Sequence, residues 1–133
     1  MTLNTKPAPT AFTIDATDRT LGRVASEAAH ALLGKRSVHF AKNQAQPVTV
    51  TIENASKLHL PARRTAGKVY THYTGYPGGL REISMAEMLT KKPARPNGRS
   101  GGGIAEVVKK TIEGMLPHNK LHKPRMKNLI VKA

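Results

Sequence analysis

The chain has 133 residues, a length that fits one domain able to bury roughly two-thirds of its unfolded surface. Hydrophobic residues make up 38% and aromatic residues 4%, with no Trp and no Cys, which excludes a large aromatic core, disulfides, thiolate metal sites and cysteine nucleophiles. Against 8 Asp and Glu stand 22 Lys and Arg, a formal charge of +14 that is self-repulsive until a polyanion neutralises it.

Residues 1–10 (MTLNTKPAPT) hold two prolines and read as a flexible N-terminal arm. With no apolar stretch in residues 1–15 and only Lys6 as a base, neither a signal nor a transit peptide is expected. Residues 11–16 (AFTIDA) alternate Phe12 and Ile14 as a short strand. A helix follows, with Leu21, Val24, Ala25, Ala28 and Leu32 on one face and Gly34 placed as its left-handed cap. Asp18 is placed to begin that helix. Val48, Val50 and Ile52 alternate with Thr49, Thr51 and Glu53, a strand of period two, and residues 57–60 read as the start of another. Residues 68–74 (KVYTHYT) have strand composition, and residues 75–79 (GYPGG) must be loop.

Ser84 and Glu87 form a capping box that opens a helix running to about Lys92, where Pro93 stops it. Residues 93–103 (PARPNGRSGGG) are loop by composition. Ile104, Val107, Val108, Ile112 and Met115 define a second amphipathic helix, ended by residues 114–117 (GMLP). The tail over residues 117–133 carries no acid and finishes in the apolar run 129–131. Strands interleaved with helices favour an α/β fold with parallel pairing.

Catalytic and cofactor signals are missing. Neither GxGxxG nor GxxxxGK[ST] occurs, and Gly34-Lys35 follows a helix instead of opening one, so no nucleotide cofactor is expected. The glycines at 101–103 could present amides to a phosphate or serve as a hinge. His118 and His122 have ligand spacing, but Pro117 and Pro124 bracket them with no carboxylate nearby, so no metal site is expected. No Ser occupies a nucleophile elbow. No apolar run reaches the ~18 residues that span a bilayer, and no helix is of the basic, bulky amphipathic kind that lies on a membrane.

Charge carries the remaining signal. Residues 54–81 contain no acid, and residues 91–133 contain only Glu106 and Glu113. Such a surface binds polyphosphate strongly and with salt dependence. The loop from Tyr73 to Arg81 adds glycines that let backbone approach RNA, with Tyr73 or Tyr76 free to stack; the competing reading is a tight turn needing glycine for backbone reasons only. The residues alone define a small basic α/β protein that binds structured nucleic acid.

Several segments together resemble one family, the large-subunit ribosomal protein L-thirteen family of bacterial type. They are Asp15-Ala16-Thr17 with Thr20-Leu21-Gly22-Arg23, then Asn54-Ala55 and Lys57. Val69-Tyr70, His72, Thr74-Gly75 and Gly78-Gly79 follow, with Met88 and Pro93. Gly114-Met115-Leu116-Pro117, Leu121, Leu129 and Val131 complete the set. The likeness covers roughly residues 11–133. Residues 44–47 (QAQP), Glu113 and His122 depart from the family pattern, and residues 96–103 look like a loop insertion.

The resemblance implies a three-layer α/β/α domain over residues 11–133, with a four-stranded, mainly parallel sheet and basic extensions, residues 117–133 among them. It implies a structural constituent of the large ribosomal subunit, cytoplasmic, which binds ribosomal RNA early in assembly beside neighbouring ribosomal proteins. No catalysis, small-molecule substrate or membrane is implied. Family positions carried over as RNA contacts are Arg23, His72, Thr74, Gly75, Gly78 and Gly79. The loop reading adds Tyr73. Charge adds Lys35, Arg36, Arg63, Arg64, Lys68, Arg81, Lys91, Lys92, Lys120, Lys123, Arg125 and Lys127. The alternative is an RNA-binding regulator of messenger RNA translation outside the ribosome, with an RNA-modifying enzyme third.

Overall fold

The computed structural model describes residues 10–38, 40–91 and 102–132. The elements are β1 (Thr10–Asp15), α1 (Leu21–Leu32), β2 (Val48–Glu53), α2 (Ala62–Gly67), β3 (Val69–Tyr73), β4 (Leu80–Ser84), α3 (Met85–Thr90), α4 (Ile104–Met115), α5 (His122–Lys127) and β5 (Leu129–Val131). Strand β1 therefore takes Thr10 from the expected arm, whose other residues lie outside those described.

Strand β2 lies between β1 and β5 and pairs with both in parallel. The register sets Phe12 beside Val50, Ile14 beside Ile52, Val50 beside Leu129 and Ile52 beside Val131. Because side chains alternate along a strand, this places Phe12, Ile14, Val48, Val50, Ile52, Leu129 and Val131 on one face. That face joins a core with Val24, Ala25, Ala28 and Leu32 of α1 and Val107, Val108 and Ile112 of α4. Thr13, Thr49 and Thr51 occupy the other face, exposed or half-buried, with Ile130 exposed.

Two expectations change here. Among the described residues the parallel sheet has three strands, not four, and its helical cover follows the one apolar face, so the three-layer arrangement is not what α1 and α4 build. The segment from Val69 to Ser84 makes a separate antiparallel hairpin. A short loop brings β3 and β4 together directly, and their mostly polar, exposed side chains lack the two apolar faces of a central parallel strand. The basic tail is also less of an appendage than expected, since β5 completes the sheet.

Helix α1 ends in a Schellman motif. Gly34 has φ +80°, its N–H donates to the Ala31 carbonyl at 2.9 Å, and the Lys35 N–H donates to the His30 carbonyl at 3.2 Å. Its start differs from expectation. Asp18 sits in a left-handed turn with φ +54°, and Thr20 takes the N-cap position without a side-chain cap bond. The organising carboxylate is Asp15, which accepts from the Thr17 N–H at 3.1 Å, the Thr17 hydroxyl at 2.8 Å and the Asn54 amide at 3.0 Å.

The strand expected over residues 57–60 reduces to a 3-10 turn at Ala55–Lys57 and one bridge between Thr20 and His59. Left-handed Asn54 sets the turn, and Pro61 leads into α2. Half of the expected capping box of α3 forms: the Glu87 N–H donates to Ser84 Oγ at 3.2 Å, while the Glu87 carboxylate turns to Lys91. The helix stops at Thr90, and Lys91 is extended.

Helix α4 follows its periodicity, except that Met115 is left exposed. At its start the Gly103 N–H donates to the Met88 carbonyl at 2.7 Å. A Cβ on buried Gly102 would lie 2.5 Å from that carbonyl. Gly102 thus serves close packing and Gly103 supplies a left-handed backbone at φ +92°, while Gly101 lies outside the described residues.

Candidate nucleic-acid interface

The β3–β4 hairpin is built from the acid-poor stretch. His72 pairs with Arg81 and Tyr73 with Leu80 across the two strands, and all four are exposed. Within the loop the Thr74 N–H donates to the Gly79 carbonyl at 3.2 Å and the Gly79 N–H to the Tyr76 carbonyl at 2.9 Å. Gly75 and Gly78 have φ of +87° and +70°, which only glycine adopts readily. A Cβ on Gly79 would collide with the Thr74 side chain and lie 2.8 Å from the Tyr76 carbonyl. The glycines therefore have a backbone role, and the groups offered to a partner are Tyr73, 60% exposed, and Tyr76, 75% exposed.

Helix α2 places Arg63 and Arg64 at the surface just before the hairpin, and Lys68 is exposed beside them. Tyr70 links this group to α4. Its ring has the Lys68 ammonium 5.5 Å and the Lys110 ammonium 5.8 Å from the centroid. Burial raises the Tyr70 hydroxyl pKa above its usual value, outweighing the Thr111 hydroxyl and the Arg64 charge. Arg64, Lys68 and Tyr70 border a depression of 140 Å³ next to Gly22. Tyr70 also borders a larger cleft of 270 Å³, together with His72, Arg81, Lys91 and Lys110.

Other expected contacts are more scattered. Arg23 is exposed on α1, and Lys35 is exposed just beyond it. Arg36 donates to Glu27 at 2.9 Å and lies 5.4 Å from the Phe12 ring centroid, so its exposed head is held by the fold. Arg19 donates to the same carboxylate at 2.7 Å. Hydrogen bonds from Arg19 and then Arg36 depress the Glu27 pKa. Lys91 pairs with Glu87 at 3.0 Å, and Lys92 lies outside the described residues.

Lys120, Lys123 and Lys127 are exposed around α5. Arg125 is not. It is 3% exposed, with Nε lacking a hydrogen-bond partner, so the structure removes it from the set of surface phosphate contacts. Helix α5 turns this one residue inward while its basic neighbours Lys123 and Lys127 stay in solvent.

Sequence reasoning missed Tyr70 and Lys110 as parts of one surface. The register of Tyr70 with Ile83 was hidden because β4 itself was not anticipated. Residues His118 and His122 stack with centroids 5.2 Å apart. Among the described residues no group of His, Asp and Glu could hold a metal ion, and no helix is long and apolar enough to cross a membrane.

These features define a small, strongly basic α/β protein whose cations concentrate on a hairpin, a short helix and a helical tail. A family model described as Ribosomal protein L13 matches residues 9–132. The large ribosomal subunit protein uL13 of Chlamydia caviae is 38% identical over 118 residues, 89% of this chain and 71% of that relative. The protein of the same name from Mycoplasmopsis agalactiae is 38% identical over 122 residues, 92% of this chain and 77% of the relative. That of Halorhodospira halophila is 35% identical over 135 residues, 99% and 87% respectively. The chain belongs to the ribosomal protein L13 family.

Proposed function

We propose that the chain is a structural constituent of the large ribosomal subunit, holding ribosomal RNA during assembly and catalysing nothing. The observation that carries this reading is the family match over residues 9–132. The acid-free stretch from Arg63 to Arg81 supports it, folded into exposed α2 and the hairpin. RNA phosphates meet Arg23, Arg63, Arg64, Lys68, Arg81 and the exposed lysines of the tail, while Tyr73 and Tyr76 offer rings to unpaired bases. His72 and Thr74 lie on the same hairpin, and Gly75, Gly78 and Gly79 shape its loop. Lys35, Arg36 and Lys91 add charge, the last two already shared with carboxylates.

Neighbouring large-subunit proteins are the expected protein partners, in the cytoplasm with the ribosome. The chain acts as one domain whose tail is part of the sheet, and the insertion expected over residues 96–103 lies, up to residue 101, outside the described residues. Co-sedimentation tests the assignment. The chain should track stoichiometrically with large subunits through a high-salt wash. Its accumulation on messenger RNA, away from large subunits, would overturn it.

A further inference from the structure

We propose that the cleft between the β3–β4 hairpin and helices α3 and α4 takes a single unpaired nucleotide, a reading that rests on the RNA-binding function above. Tyr70, His72, Arg81, Ile83, Met88 and Lys110 meet there around 270 Å³. Ligand pockets run from roughly 300 Å³ upward, so this space is of the size of a single nucleotide and not of a longer stretch of chain. The chemistry divides in two. Ile83 and Met88 provide an apolar floor, packed against or within the core. Arg81 and Lys110 provide charge at the rim, and among the described residues neither meets a carboxylate.

Lys91 also borders the cleft but is paired with Glu87, so the uncompensated charge belongs to the other two. Lys110 is held in place by the Tyr70 ring, 5.8 Å from its centroid. Apolar floor and cationic rim together fit a nucleobase or ribose with an attached phosphate. A phosphate chain alone would leave the floor unused. A base already outside a helix enters without the cost of breaking a stack, which selects unpaired nucleotides over duplex.

The test uses the full chain with four probes: a single-stranded oligoribonucleotide, its blunt duplex, inorganic polyphosphate and adenosine monophosphate. The double variant Arg81→Ala/Lys110→Ala is compared with Lys109→Ala, which removes a charge one residue along, beside Glu106 and Glu113. The double variant should lose roughly tenfold or more in affinity for the single strand, with a smaller and equal loss for duplex and polyphosphate. Lys109→Ala should weaken all three polymers alike. Saturable monophosphate binding that the double variant abolishes would assign the cleft to a free nucleotide as well as to one in a chain; monophosphate binding as tight as that of the single strand would overturn an RNA site.

Equal losses on all three polymers, or none, would overturn the proposal and leave RNA binding standing. A wild-type chain that binds no RNA would overturn both. Should the double variant fail to fold, ultraviolet crosslinking of the wild-type chain decides: adducts should map to Tyr70, His72, Met88 or Lys110 at the cleft, and adducts confined to Tyr73, Tyr76 or the tail would contradict it.

Discussion

Glu27 holds Arg19 and Arg36 at once, and its side chain is the least exposed of the three at 28%. Both arginines are 40% exposed or more, so solvent screening limits the contribution to about 1 kcal/mol. Glu27→Gln should lower the melting temperature by a few degrees. Asp15 gives a pH signature. Hydrogen bonds from Thr17, then Asn54, hold its carboxyl at about 2 against an ordinary 3.8. Folding thus favours the ionised form, and the stabilisation is complete above the unfolded value and lost as pH falls from about 4 towards 2. Glu27, also depressed, acts in the same sense. A series of thermal melts across that window should show stability falling with acid, and Asp15→Ala should flatten the fall. At Gly79 the steric demand is local. Gly79→Val should lower the melting temperature even in the absence of RNA, because Cβ meets Thr74 and the Tyr76 carbonyl.

At the scale of elements, α4 gives the sharpest contrast. Ile112 is fully buried, and Ile112→Asp should cost several kcal/mol for an unpaired charge in the core. Lys109→Ala, on the exposed side, should change stability within about 0.5 kcal/mol, as chemical denaturation would show. The elements legible beforehand are those whose own pattern suffices. The alternation of Val48, Val50 and Ile52, the apolar stripe of α1 with Gly34 beyond it, and the Ser84 cap of α3 are each local signals, and each folds as read. Strand β4 was not legible because Leu80 is exposed and its residues (LREIS) have no clean alternation; its strand state comes from pairing with β3. Helix α5 contains Pro124, which argues against a helix until its place in the first turn makes the missing N–H harmless. Arg125 was misjudged for the related reason that a basic tail gives no hint of which residue turns inward. Charge identified the binding surface, whereas the cleft needed the tertiary meeting of β3, β4, α3 and α4.

The whole molecule carries +14 with few carboxylates to offset it, and several of those are used internally, Glu27 by arginines, Glu87 by Lys91, Glu53 by Lys132 and Asp15 by a turn. Its small aliphatic core and charged exterior suit a protein whose working stability includes a bound polyanion. The most direct test is the affinity of the full chain for large-subunit ribosomal RNA over a range of salt concentrations. Phosphate neutralisation predicts a linear fall of log affinity with log salt, somewhat under one unit per phosphate contact and several units in total. A shallow slope of about one unit or less would contradict the account, because the charge of this chain would then not be what holds it to RNA.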